Sequence, residues 1–298
     1  KKVAIIYYNH PPGRHNIGAD NLNVVESLFD ILHSLNNSGY NTGELPKTSA
    51  ELLDLLQQRG VNLPEDHEAL AAMSSVVNTV DNQTYLSWFH TLPESLQQEM
   101  VNGPLGLLHA NLKQAKALKD PSIAKHLLAR VMEDIRHVVD GADHAGRDRV
   151  LQLLTQLQIL YQQPSDDMDW QQAEQLITAI SQQWIEGVRG WGEAPGNVMV
   201  FDHKILIPGI QFGNIFVGPQ PPRGWELNEE LLHANLSFPP PHQYMAFYQW
   251  LRNEFHADAL VHLGRHSTYE FLPRHRVGMA ENDYPQAILA DLPSIYPY

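Results

Sequence analysis

The chain has 298 residues, 43 % of them hydrophobic and 18 % charged, enough for one large folded domain or two ordinary ones with real cores. Its 34 acidic against 20 basic residues leave a net charge of −14, a surface that repels nucleic-acid phosphates and anionic lipid. Cysteine is absent, which excludes disulfides, thiolate metal sites and cysteine nucleophiles, and no apolar run approaches the roughly 18 residues that span a bilayer.

Residues 3–8 are β-branched and aromatic and predict a buried strand. A loop rich in His, Pro and Gly follows over 9–18. Leu22, Val25, Leu28, Phe29 and Leu32 then fall at helical spacing, with Gly39 placed to end the helix. Thr48 and Glu51 are spaced as a capping box for a second helix that closes at Gly60. From 101 to 187 the periodicity is helical throughout. Ala124, Leu128 and Ile135 belong to one apolar stripe, Val150, Leu153 and Leu157 to a second, Ala173, Ile177 and Ile180 to a third. Stripes of this kind are core and carry no chemistry.

Residues 198–201 and 204–207 predict a hairpin across Asp202-His203, although the turn lacks the favoured Gly. The Gly- and Pro-rich stretch 212–222 reads as an extended loop. Tyr244, Phe247, Tyr248, Leu251 and Phe255 predict a helix, and 258–264 a strand that runs out into a loop at Arg265. The fold class is therefore α/β: two portions, 1–100 and 188–298, packed together, with an all-helical insertion over 101–187. Lys1-Lys2 runs at once into a strand, and the chain stops at Tyr298 without a terminating helix, so we expect a segment of a longer polypeptide.

Several catalytic signatures are absent. There is no Gly-x-x-x-x-Gly-Lys-Ser/Thr phosphate loop, no Gly-x-Gly-x-x-Gly and no Gly-x-Ser-x-Gly elbow, so no nucleotide is expected on this segment. What the sequence does carry is 16 histidines and four loops loaded with His, Arg and Glu at strand ends, where α/β folds collect ligands. The loops are His10-Pro11-Pro12-Gly13-Arg14-His15, the run from Gly218 through Gln220 and Arg223 to Trp225, the proline-stiffened approach to His242-Gln243-Tyr244, and His262-Leu263-Gly264-Arg265-His266-Ser267-Thr268-Tyr269-Glu270. In the last, His262, His266 and Glu270 recur every four residues. Such a set can exchange protons with pyrrole nitrogens or hold a divalent metal in transit. Equally, His262 can be a satisfied strand histidine and Glu270 a helix N-terminal acid. Arg14, Arg223 and Arg265 are the cations of these loops, and arginine matches carboxylates bidentately.

These loops carry a resemblance. The opening Ala4-Ile5-Ile6-Tyr7-Tyr8-Asn9-His10-Pro11-Pro12-Gly13-Arg14 with Asn16-Ile17-Gly18-Ala19, the run Pro219-Gln220-Pro221-Pro222-Arg223-Gly224-Trp225, the segment from Pro239 to Phe255, and the element from His266 to Pro273 resemble the large subunits of cobaltochelatase and magnesium chelatase. The resemblance implies binding of a tetrapyrrole (porphyrin, haem or corrin), transfer of a divalent Co, Mg or Fe ion, and separate AAA+ partners that hydrolyse ATP. It implies a cytoplasmic place, or a membrane-associated or periplasmic one for a haem-uptake protein. It puts a catalytic carboxylate at Glu270 with His266 beside it. The expected metal or proton relays are His262, His266, His10 and His242, and the expected substrate contacts are Arg14, Arg223, Arg265, Gln220, Tyr244 and Trp225.

Two departures stand out: Ser267 where the family has Gly, and Pro273-Arg274-His275 where it has Pro-Gly-Lys. With a helical insertion expected to be missing from the biosynthetic enzymes, they resemble a divergent branch from haem-uptake operons. A non-catalytic tetrapyrrole carrier is the reading from another class.

Overall fold

The computed structural model describes residues 1–9, 13–18, 22–63, 67–185, 187–224, 237–264, 268–273 and 278–297. Its main sheet has five strands in the order β5-β6-β1-β7-β8. β1 (Val3–Tyr7) is central and runs parallel to both β6 (Ile215–Pro219) and β7 (Ala259–Leu263). β8 (Ser294–Ile295) adds a parallel edge and β5 (Ile210–Phe212) an antiparallel one. Because side chains alternate across a strand, β1 feeds two cores. Ala4 and Ile6 face one with Phe216 and Leu260, while Ile5 and Tyr7 face the other with Val217 and Leu263.

Helices cover both faces. α1 (Val24–Asn37) and α2 (Ser49–Arg59) lie on the Ile5 face. α9 (His242–Asn253) and α10 (Tyr284–Leu289) lie on the Ile6 face. The cap of α2 is the one its sequence predicts: Thr48 accepts from the Glu51 backbone N–H at 3.2 Å, and Glu51 reaches back to the N–H of Lys47. Short helices α3 (His67–Ser74) and α4 (Asn82–Phe89) flank a second, antiparallel sheet, β2-β4-β3, built from β2 (Asn78–Asp81), β3 (Val200–Phe201) and β4 (Lys204–Ile207).

The expected hairpin is there as β3-β4, and its turn explains itself. Asp202 and His203 have φ of 48° and 58°, the positive pair a type I′ turn requires. The extended loop expected over 212–222 is a correction. It holds β6, every residue of which is buried. Gly218 breaks the apolar run because a Cβ there would come within 2.9 Å of the Pro208 carbonyl, and Pro219 is tolerated because it ends the strand.

Four helices, α5 (Glu94–Ala117), α6 (Pro121–Asp140), α7 (Arg147–Tyr161) and α8 (Trp170–Ser181), enclose a core of their own. α5 breaks at Gly103, whose φ is 70°. The reason is a close crossing: the chain enters the helices at Gly103 and leaves at Gly190, and a Cβ on Gly103 would stand 2.3 Å from the Gly190 nitrogen. Trp191 and Gly192 donate there to the carbonyls of Met100 and Val101. Among the described residues, no helix is long and apolar enough to cross a membrane.

Candidate functional site at the carboxyl edge of the sheet

The helix that follows β1 packs on one face of the sheet, whereas those that follow β6 and β7 pack on the other. The loops leaving β1 therefore diverge from those of its neighbours, and a crevice opens at the carboxyl end of β1, the place where open α/β sheets bind ligands. Asn9, Gln220 and His262 lie there, buried at 3 %, 6 % and 2 % exposure.

Asn9 organises the first loop. Its amide nitrogen donates to the carbonyls of Gly13 and Asn16, both at 3.0 Å, and its oxygen accepts from the Asn62 N–H at 2.8 Å. Asn62 in turn donates to the Gln220 carbonyl at 2.7 Å, so one chain of amides ties the ends of β1, α2 and β6 together. The Gln220 side chain donates to the hydroxyls of Tyr244 and Tyr248. Tyr244 is wholly buried, so the pair braces β6 against α9 instead of offering the substrate surface expected of Gln220 and Tyr244.

His262 sits opposite Ile6 in the register of β7 and β1. Tyr296 stacks on its ring at 5.3 Å between centroids, and Tyr269 meets it edge-on at the same distance. The Tyr296 hydroxyl bonds that of Tyr269, which meets the Ser294 hydroxyl at 2.6 Å. Burial pushes the His262 imidazole down to about 3, which keeps it neutral at physiological pH, the state a ligand or proton acceptor needs. Its Nε2 has no hydrogen-bond partner among the described residues, nor has the Asn62 Oδ1. Buried polar atoms left without partners are uncommon and costly, and two of them mark this edge.

His242 is different, and its expected role as metal ligand or relay is corrected. Its Nδ1 meets the Tyr85 hydroxyl and its Nε2 the Gly192 carbonyl, both at 2.9 Å. Burial takes it down to about 4. Neither nitrogen is free, so the ring is a strut between α4, α9 and the exit from the four helices.

Arg223 is also interior, not a surface carboxylate contact. It is 5 % exposed and donates to the carbonyls of Phe238, at 2.9 Å, and Phe271, at 3.4 Å. Burial lowers it to about 10. It ties the loop after β6 to the 3-10 turn Thr268–Phe271, whose backbone carries Glu270. Arg14 is half-buried and donates to the Gln57 carbonyl at 2.5 Å. It has no carboxylate partner among the described residues and stays a candidate.

His10, His266, Arg265 and Trp225 lie outside the described residues. Among those described, no three His, Asp or Glu side chains come together as a metal site. The residues that sequence reasoning missed are Asn9, Asn62, Tyr248, Tyr269 and Tyr296. Tyr248 shows in the sequence only as an apolar position of α9, and the amides carry no periodic signal at all.

The profile of the CobN/Magnesium Chelatase family matches residues 1–104 and 108–298. The chain belongs to that family. The magnesium-chelatase large protein of Rhodobacter capsulatus, its H component, is 26 % identical over 300 residues, which cover 100 % of this chain and 17 % of that protein. The aerobic cobaltochelatase protein CobN of Pseudomonas aeruginosa is 42 % identical over 108 residues, 36 % of this chain and 9 % of that one. The chain thus spans less than a fifth of these CobN/magnesium chelatase relatives. The catalytic subunit of cobaltochelatase from Mycobacterium tuberculosis shares the fold, with a TM-score of 0.55 at 24 % identity over 100 % of this chain and 18 % of that one. One expectation falls. The helical segment was expected to be missing from biosynthetic chelatases, yet the family profile and the Rhodobacter protein both run through it.

Proposed function

We propose that this segment forms one wall of the tetrapyrrole cleft of a chelatase large subunit, acting in metal insertion into the macrocycle. The observation that supports it best is the divergence of loops around β1, with a neutral, unpartnered His262 beside the turn that carries Glu270. Metal entry requires two pyrrole N–H protons to leave. Glu270 takes them, helped by His266, and His262 and His10 relay protons or hold the incoming ion. Arg14 and Arg265 pair with the macrocycle's carboxylates. ATP is hydrolysed by separate AAA+ subunits in the cytoplasm, a division that the missing phosphate loop supports. Glu270→Gln, which removes the base and keeps the size, is the test in the full-length protein. Porphyrin should still bind with similar affinity, while metal insertion falls by roughly 10²–10⁴-fold, the share general acid–base catalysis supplies. Loss of binding together with activity makes Glu270 structural, and unchanged insertion leaves a carrier. Ser267, Arg274 and His275, which depart from the family pattern, favour a second reading, release of iron from haem. The same variant assayed for iron release decides the direction.

A further inference from the structure

A cavity of about 750 Å³ opens at the far end of the four helices, in the corner between the α5–α6 turn and the α7–α8 connection. That size suits a small-molecule ligand. Pro121, Leu128, Ala129 and Tyr161 supply its apolar lining, and Lys116, Lys119 and Lys125 its cations. In a chain of net charge −14, four of the eight lysines fall between positions 113 and 125. Lys116 is occupied, donating to the Gln163 carbonyl at 2.7 Å and lying over the Trp170 ring. Lys119 and Lys125 have no carboxylate within ion-pair distance among the described residues. Of the two acids in the lining, Asp120 caps α6 and Asp166 follows Ser165 in a 3-10 turn.

The position of Lys119 is unusual. α5 ends in a Schellman motif: the Asp120 N–H bonds the Ala115 carbonyl and the Lys119 N–H that of Lys116. Glycine is the usual residue at this left-handed position, and Lys119 occupies it at a φ of 53°. Elsewhere the acidic surface repels organic anions. Here apolar walls and two unpaired ammonium groups meet in one cavity.

We propose that this cavity is a second ligand site, separate from the carboxyl edge of the sheet, and that it takes an amphipathic organic carboxylate. The apolar body lies against Leu128, Ala129 and Tyr161, and the carboxylate pairs with Lys119 or Lys125. Two sources share this chemistry, an acyl-chain carboxylate and a carboxylated tetrapyrrole. The inference does not rest on the reading of the sheet edge.

Calorimetric titration of the full-length protein tests it. The probes are dodecanoate and protoporphyrin IX, each beside its uncharged counterpart, dodecanol and protoporphyrin dimethyl ester. Ala129 is exposed, so Ala129→Trp fills the mouth without disturbing the core, and the site is defined as the binding this variant removes. We expect at least one carboxylate to show such binding, with its uncharged counterpart and the double variant Lys119→Glu/Lys125→Glu each at least about tenfold weaker, as a charge-assisted pair requires. Dodecanoate alone assigns the site to acyl chains, protoporphyrin alone to tetrapyrroles. The proposal is overturned if neither carboxylate loses binding in Ala129→Trp, or if the uncharged counterparts bind as well.

Discussion

Asn9 holds more of the sheet edge than any charged residue near it. Three hydrogen bonds from one buried amide fix the loop after β1 and the end of α2. Asn9→Ala strands the Asn62 N–H and the Gly13 and Asn16 carbonyls, so it should destabilise the fold by about 2–4 kcal/mol, at a net 1 ± 0.5 kcal/mol per bond plus the cost of unmet groups. Denaturant unfolding measures the loss, and a shift below about 1 kcal/mol would mean that water replaces the amide. The same scale shows where residue-level reading stops. His262 and His242 look alike in the sequence, each a histidine at the edge of an element in a polar loop. Only the fold brings Tyr85 and Gly192, from 157 and 50 residues away, onto both nitrogens of His242 while leaving the His262 Nε2 without a described partner. Arg223 is misread for the same reason. Its carbonyl partners at Phe238 and Phe271 have no side-chain chemistry by which a sequence could announce them.

At the scale of elements, the pieces with strong local signals are legible: β1, α1, α2 with its cap, α9, β7 and the β3-β4 hairpin. β6 is not, since Gly218 and Pro219 dilute its apolar run, and both exist for contacts that only the assembled sheet defines. β2, β5 and β8 are two to four residues long, too short for a period to emerge. The hairpin turn offers a test of how much local conflict the fold absorbs. His203 sits exposed at a φ of 58°, a region that costs a side chain roughly 1–2 kcal/mol. His203→Gly removes that cost and gives some back as unfolded-chain entropy. A net gain of about 0.5–1 kcal/mol is expected, read as a higher urea midpoint with an unchanged slope. A loss of stability would show that the His203 side chain makes a contact worth more than the strain.

Across the whole molecule, both buried histidines lie on the Ile6 face of the sheet or its approach, and both are held neutral by burial, at about 4 for His242 and about 3 for His262. Unfolded, each returns to about 6.5. As pH falls below 6.5 the unfolded chain takes up two protons that the folded chain refuses, so stability falls with pH, with the loss confined to the window between the unfolded and folded values. From pH 7 to pH 5 the two together should cost about 3–4 kcal/mol, at 1.36 kcal/mol per proton per pH unit once below 6.5. Carboxylates oppose this only weakly in that window. Most titrate near 4, so the repulsion within a chain of net charge −14 is not yet relieved at pH 5. Urea unfolding at pH 7, 6 and 5 measures the slope. His262→Phe separates the two residues: the fall should be about halved, and stability at pH 7 should hold or rise, because a ring of similar shape replaces one with an unpartnered nitrogen. A wild-type curve that stays flat from pH 7 to 5 would mean that water or the loop beyond Gly264 satisfies the His262 nitrogen in solution, and His262 would then lose its standing as a poised ligand.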